Sequence, residues 1–244
     1  MSYSILKPIN CSDISMVIKK IATIFCLVFL MACSATRNTA TSKIPGARVQ
    51  LTTDSGVIVL RLYNQTPLHR DNFLKLVKQH YFDSLLFHRV IKNFMIQGGD
   101  PNSKNALPKI QLGNGGPGYT IPAEFDSTLF HKKGVLAAAR MGDNENPKKA
   151  SSGSQFYIVQ GKVFTDAGLD SVETFRLNGR KIPLSHREVY KTIGGTPHLD
   201  MGYTVFGEVE SGLEVVDKIA AAPRDANNRP LTDIRMKMKI LRKK

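Results

Sequence analysis

Arg89 sits in "FHRVIKNFMIQGGD" (residues 87–100), among Phe87, Val90, Ile91, Phe94, Met95 and Ile96. A guanidinium keeps its charge at any relevant pH and presents a planar fork of donors. In so apolar a stretch it is either half of a structural ion pair, a snorkelling side chain, or a donor held for chemistry. Gln97 follows eight residues later, and "SSGSQFYIV" supplies Gln155 and Tyr157 further on. No metal-ligand spacing occurs, and "GNGGPG" lacks the Lys-Ser/Thr and following helix of a phosphate loop, so it reads as a turn and no cofactor is expected.

Strands and two helices must position these residues. "RVQLTTDSGVIVLRLY" alternates on both sides of Asp54-Ser55-Gly56, which predicts a hairpin. Thr66 as N-cap and Pro67 at the first position open a helix with Phe73, Leu76, Val77 and His80 on one face. Short strand-like runs follow at Leu86–Ile91, Phe94–Gln97, Val135–Ala139, Gln155–Val159 and Thr204–Val209. A second helix aligns Leu213, Val216 and Ile219 before Pro223, and "IRMKMKIL" alternates to the end. Many short strands with two core helices predict a mainly β fold, a closed antiparallel barrel capped by the helices.

The segment 162–196 breaks this pattern. Leu169, Val172 and Phe175 have helical spacing, and Ser185 with Glu188 forms a capping box ahead of Val189 and Ile193, with Gly194-Gly195 ending the turn. It reads as an inserted helical hairpin with an apolar inner side and a basic face of Arg176, Arg180, Lys181, Arg187 and Lys191. Both its ends adjoin candidate pocket residues. It is expected to stand at the edge of the candidate site and tune what the site accepts, leaving its action on a small substrate little changed.

The chain of 244 residues begins with material that is not fold. Lys19-Lys20, an apolar run from Ile21 to Met31 and a small Ala32 before Cys33 have the layout of a secretory signal. "LMAC" resembles a bacterial lipobox, which implies a lipid on Cys33. Residues 1–32 then form the signal, with 1–15 upstream of a start at Met16, 33–46 a polar tether, and 47–244 one domain. The other cysteines, Cys11 and Cys26, fall within 1–32, so the mature chain has no disulfide scaffold. Net charge falls from +14 to +12 on removal of 1–32, because Lys7, Lys19 and Lys20 leave with Asp13. The remaining lysines are scattered and no nucleic-acid motif accompanies them. The expected setting is a bacterial envelope, with the domain lipid-anchored and facing the periplasm.

Five ordered blocks, "FHRVIKNFMIQGGD", "GNGGPGYTIPAEF", "GVLAAAR", "SSGSQFYIV" and "YTVFGEV", together resemble the cyclophilins, the cyclosporin-binding peptidyl-prolyl isomerases. The resemblance implies a closed eight-stranded antiparallel barrel with two capping helices, and an isomerase of X-Pro bonds acting as a monomer on unfolded or exported polypeptides. It implies that Arg89 is the catalytic donor and that Phe94, Met95, Tyr157 and Leu199 wall a proline pocket. Gln97 and Gln155 would bond the substrate backbone or hold the guanidinium, and the backbone around Ala139 and Arg140 would pair with the peptide. No covalent bond is made, so His80 and His88 read as structural. Three positions depart from the family: His198 stands where a pocket tryptophan is usual, Tyr203 where a histidine is, and Arg140 where an asparagine follows Ala139. Weak cyclosporin binding is expected from the first. A holdase that grips proline segments without turnover is the alternative, which the presence of Arg89 disfavours.

Overall fold

The computed structural model describes residues 46–242, so the signal, the lipidated cysteine and nearly all of the tether lie outside the described residues. Eight strands form one sheet: β1 (Arg48–Thr53), β2 (Gly56–Leu62), β3 (Phe87–Ile91), β4 (Met95–Gly98), β6 (Val135–Ala138), β8 (Phe156–Val159), β9 (Val205–Ser211) and β10 (Lys237–Leu241). A separate short pair joins β5 (Thr120–Ile121) to β7 (Ser151–Ser152). The sheet order is β10-β1-β2-β9-β6-β8-β4-β3, antiparallel throughout. The expected hairpin forms, with Asp54-Ser55 as a two-residue loop between the paired Thr53 and Gly56.

The closed barrel is not formed. The end strands β3 and β10 share no ladder. The start of β3 and the segments preceding both strands meet at one bridge, Leu86 with Arg235, and at bonds such as Met236 N–H to Leu85 C=O (2.9 Å) and Phe87 N–H to Ile234 C=O (3.0 Å). The sheet is therefore open between its end strands, and a few bonds stitch the seam.

Helix α1 (Pro67–Lys78) places Phe73, Leu74, Leu76 and Val77 in the main core. Thr66 precedes it but makes no side-chain cap, and its buried hydroxyl has no partner. Glu124, from a distant loop, does the capping: its carboxylate accepts from the Leu68 and His69 amides, both at 3.0 Å. His80 is exposed beyond the helix end, with φ of 54°, and joins no core face.

In the hairpin insert, α2 (Asp166–Phe175) and α3 (Leu184–Thr192) lie between β8 and β9. Its core is Leu169, Ile182 and Tyr190, with Val172 packed against them. Phe175 is 77% and Ile193 49% exposed, so neither packs inward as expected. The capping box is absent, because Pro183 occupies the N-cap and Ser185 falls inside the helix. The basic face is mostly neutralised: Arg187 pairs with Asp166, Asp170 and Glu173, Lys191 with Asp166 and Glu188, and Lys181 with Glu173. Both ends of the insert are pinned, as Gly195 N–H bonds Lys162 C=O at 3.0 Å. A Cβ on Gly195 would lie 2.3 Å from the His131 carbonyl oxygen, so only glycine permits this approach. Helix α4 (Leu213–Ala220) buries Val215, Val216, Ile219 and Ala220 in the main core.

Strands β6 and β8 are buried on both faces, and their period of two divides them between two clusters. Leu136, Ala138, Phe156 and Ile158 enter the main core. Val135, Ala137, Tyr157 and Val159 join a second cluster with Met95 on the opposite face. That second face carries the site.

Candidate active site

Register explains the arginine. Arg89 pairs with Gln97, Gln97 with Tyr157, and Tyr157 with Ala137, so one row crosses β3, β4, β8 and β6. Alternation puts Arg89 on the face opposite core-facing Val90, and a register irregularity between Phe87 and Arg89 separates it from Phe87 as well. The guanidinium is half-buried and ion-pairs with no carboxylate among the described residues. Burial lowers its pKa, an effect the nearby Tyr203 opposes. Its partners are neutral or soft: Gln97 Oε1 accepts from Nη1 at 3.2 Å, Met95 Sδ lies at 4.0 Å, and the Phe94 ring centroid is 5.9 Å away.

A relay of amides fixes that donor. Gln155 Nε2 donates to the Gly113 and Gly115 carbonyls at 2.8 and 2.7 Å, which turns Gln155 Oε1 toward Gln97. Gln97 Nε2 then donates to it at 3.2 Å, so Gln97 Oε1 must face Arg89. Gln155 thus has both donors engaged inside the protein, and it holds the arginine through Gln97. The glycine loop is gripped in turn by the fully buried Asp100, whose Oδ2 accepts from the Gly113 (2.5 Å) and Gly115 (3.3 Å) amides. A Cβ on Gly115 would meet Asp100 Oδ1 at 2.1 Å, so this grip also requires glycine.

Arg89, Phe94, Met95, Gln97 and Ala139 line a cavity of about 130 Å³, closed by Arg140, Tyr157, Leu199 and Tyr203. Drug-sized ligands occupy about 300–1,000 Å³, so this pocket suits a single small ring. Phe94 is presented by the turn after β3, where Asn93 has φ of 64° and the Phe94 carbonyl accepts from Gln160 (3.0 Å) and Gly161 (2.9 Å). His198 lies outside the lining and stacks on Phe94, with centroids 5.6 Å apart. Arg140 braces the far wall: Nε donates to the Gly202 carbonyl at 2.7 Å, the guanidinium lies 4.5 Å over the Tyr203 ring, and Asp143 pairs with it at 2.6 Å. A groove of about 680 Å³ adjoins, lined by Gln97, Ala139, Arg140 and the glycine loop, without Arg89.

The backbone available for the expected peptide pairing around Ala139 and Arg140 narrows to Arg140. Ala139 already uses both backbone groups, donating to Gln155 (3.0 Å) and accepting from Ser152 (2.8 Å). Arg140 N–H and C=O have no backbone partner among the described residues, so they alone of the two residues are free to pair with an extended chain.

A family model described as cyclophilin type peptidyl-prolyl cis-trans isomerase matches residues 48–240. A Staphylococcus aureus protein named as a peptidyl-prolyl cis-trans isomerase is 34% identical over 191 residues, 77% of this chain and 87% of that one. This chain belongs to the cyclophilin-type peptidyl-prolyl isomerases. A Streptococcus pyogenes protein named as a bifunctional phosphatase/peptidyl-prolyl cis-trans isomerase is 35% identical over 195 residues, and this cyclophilin chain spans only 37% of its length. The crystal structure of a Cryptosporidium parvum cyclophilin aligns with a TM-score of 0.60 at 25% identity, over 82% of this chain and 99% of that one. A second structure of it, in the presence of the dipeptide Ala-Pro, gives 0.59.

Within this cyclophilin, sequence reasoning missed Asp100, Glu124, His131 and Asp200 as organisers. Asp100 alone had a visible signal, as an acceptor directly after Gly98-Gly99. Two histidines beside the site are out of titration range: burial first, and Arg89 after it, lowers His88 to about 4, while burial first, and Arg176 after it, lowers His198 to about 4. Both are neutral above about pH 5, and the arginine stays charged. Turnover in an assay without a coupling protease is therefore expected to be flat within about twofold from pH 6 to 9. A bell with a limb near pH 6–7 would show that a titrating group takes part.

Proposed function

We propose that Arg89 accelerates X-Pro isomerisation by donating to the proline nitrogen as the amide twists. Amide rotation costs about 18–20 kcal/mol because resonance gives the C–N bond double-bond character. At the twisted state resonance is lost and the nitrogen gains a lone pair able to accept a hydrogen bond. A fixed cation beside it stabilises that state and not the planar ground state. Reducing about 10–100 s to about a millisecond requires roughly 10⁴–10⁵-fold, or about 6–7 kcal/mol. A charge-assisted hydrogen bond contributes about 1.5–3 kcal/mol. The remainder must come from orientation by the Arg140 backbone and from moving the amide into the apolar cavity of Phe94, Met95, Tyr157 and Leu199.

The observation that carries this reading is a cation without a carboxylate partner among the described residues, held by an amide relay on the rim of a ring-sized apolar cavity. A structural arginine would be neutralised, as Arg140 is by Asp143. A protease-coupled assay on an X-Pro tetrapeptide tests it. Peptide binding without turnover would favour the holdase.

The clients we propose are proline-containing exported polypeptides, met by a monomeric domain tethered in a bacterial envelope through lipidated Cys33. The signal layout and lipobox support this. Cys33→Ser should block processing and abolish partitioning of the mature protein into detergent. Wild-type protein made in bacteria without a lipid-sized mass addition at its N-terminus would defeat the anchor.

A further inference from the structure

The floor of the cavity is polar where apolar chemistry needs no polarity. Tyr157 is 4% exposed, and a phenylalanine there would present the same ring. Burying a phenol without a partner is costly, so the hydroxyl must be answered. Its partner is His131, itself fully buried: the Tyr157 hydroxyl lies 2.9 Å from Nε2. His131 Nδ1 lies 3.0 Å from Asp200 Oδ1, and its backbone amide donates to the same oxygen at 2.8 Å. The second carboxylate oxygen, Oδ2, accepts from the hydroxyl of Tyr190 at 2.7 Å. A carboxylate only accepts, so Nδ1 carries a proton, and in a neutral imidazole Nε2 accepts from Tyr157. With that tautomer every donor in the chain points toward Asp200, from the floor on one side and from the insert on the other.

The two ends of this chain belong to different parts of the fold. Tyr157 is on β8 under the cavity, whereas Tyr190 is a fully buried residue of α3 in the insert. Asp200, in the middle, directly follows Leu199 of the cavity wall, and its carbonyl accepts from Arg180 of the insert at 2.6 Å. The insert thus reaches the floor and the wall of the cavity through one residue, Asp200, by its carboxylate and its backbone respectively.

We propose that Tyr190 is a positioning residue for the isomerase, setting the attitude of Tyr157 and Leu199 against the proline ring through Asp200 and His131. This rests on the reading of the cavity as the proline site. It replaces the expectation that the insert leaves small-peptide turnover untouched. Buried polar chains specify one arrangement when every member is satisfied, and a break at one end is felt along them.

The test is a double-mutant cycle on kcat/KM for an X-Pro tetrapeptide, with Tyr190→Phe, Tyr157→Phe and the double variant. Each single change is expected to lower kcat/KM about fivefold, the scale of one ordinary hydrogen bond. The double variant is expected to match Tyr157→Phe within twofold, because a chain already cut at the floor has nothing left to transmit. Tyr190→Phe within twofold of wild type, or a double variant more than twofold below Tyr157→Phe, overturns the proposal. A purely structural role for Tyr190 would give independent, multiplying losses. If Tyr190→Phe does not fold, Asp200→Asn takes its place in the cycle with the same criteria. A 3-fluorotyrosine at position 157 supplies a readout independent of turnover: its ¹⁹F resonance should move when Tyr190 becomes phenylalanine. An inactive wild type would defeat the isomerase reading, whereas an unmoved resonance in an active enzyme would defeat the coupling alone.

Discussion

Replacing Arg89 by alanine is expected to lower kcat/KM on an X-Pro tetrapeptide by about 10- to 150-fold, the rate equivalent of about 1.5–3 kcal/mol for a charge-assisted bond. The thermal midpoint should stay within a few degrees. Both expectations follow from the same geometry. The guanidinium ion-pairs with no carboxylate among the described residues, so its removal strands no buried charge there. The Gln97 oxygen that it leaves is on a half-buried side chain facing an open cavity, where water can replace the lost donor. Because the bond forms only in the twisted state, kcat and kcat/KM should fall together. Arg89→Lys separates charge from shape: an ammonium keeps the cation but lacks the planar fork that Gln97 orients, so only part of the loss should return. Wild-type turnover by Arg89→Ala would remove the catalytic role and leave the arginine a structural curiosity of the rim.

The parts of the site carried by local pattern were legible, and those carried by distant pairing were not. Alternation in "FHRVIKNFMIQGGD" and "SSGSQFYIV" gave the strands, and resemblance supplied Arg89, Gln97 and Tyr157, which the ladder register then aligns in one row. A period of two cannot say which face of a doubly buried strand meets the main core, so the second cluster was invisible. Glu124 caps a helix 55 residues before it, and Asp200 orients a histidine 69 residues away, with no local signature in either case. Local motifs also misled where tertiary packing won. Ser185 and Glu188 had the spacing of a capping box, but the helix starts at Leu184 and Glu188 pairs with Lys191 instead. Three of the five residues counted as a basic face, Lys181, Arg187 and Lys191, proved to be the partners of Asp166, Asp170 and Glu173. The barrel failed at its seam because pairing of β3 with β10 depends on loop paths, which alternation does not encode.

Asp100→Asn should be the most informative change outside the cavity. The side chain is nearly the same size, yet a carboxylate that accepts from three backbone amides becomes an amide with one oxygen. Asn102 donates to Oδ1 at 2.8 Å, and Gly113 and Gly115 donate to Oδ2. Whichever way the new amide turns, its NH₂ group faces at least one of these donors inside a fully buried site. A buried donor left unanswered costs about 1–3 kcal/mol, so with the repulsion a loss of about 2–4 kcal/mol is expected. For a domain of this size that lowers the thermal midpoint by about 5–15 °C. The activity loss should exceed what stability explains, since the displaced loop carries the two carbonyls that anchor Gln155. Without that anchor Gln155 no longer fixes Gln97, and Gln97 no longer aims the guanidinium. At a temperature well below the midpoint kcat/KM should fall about tenfold, because the members of such a relay act as a unit. Adding Gln155→Leu should then cost little more. A lowered midpoint with wild-type kcat/KM would make Asp100 a loop clamp only, and would show that Arg89 is aimed without the relay.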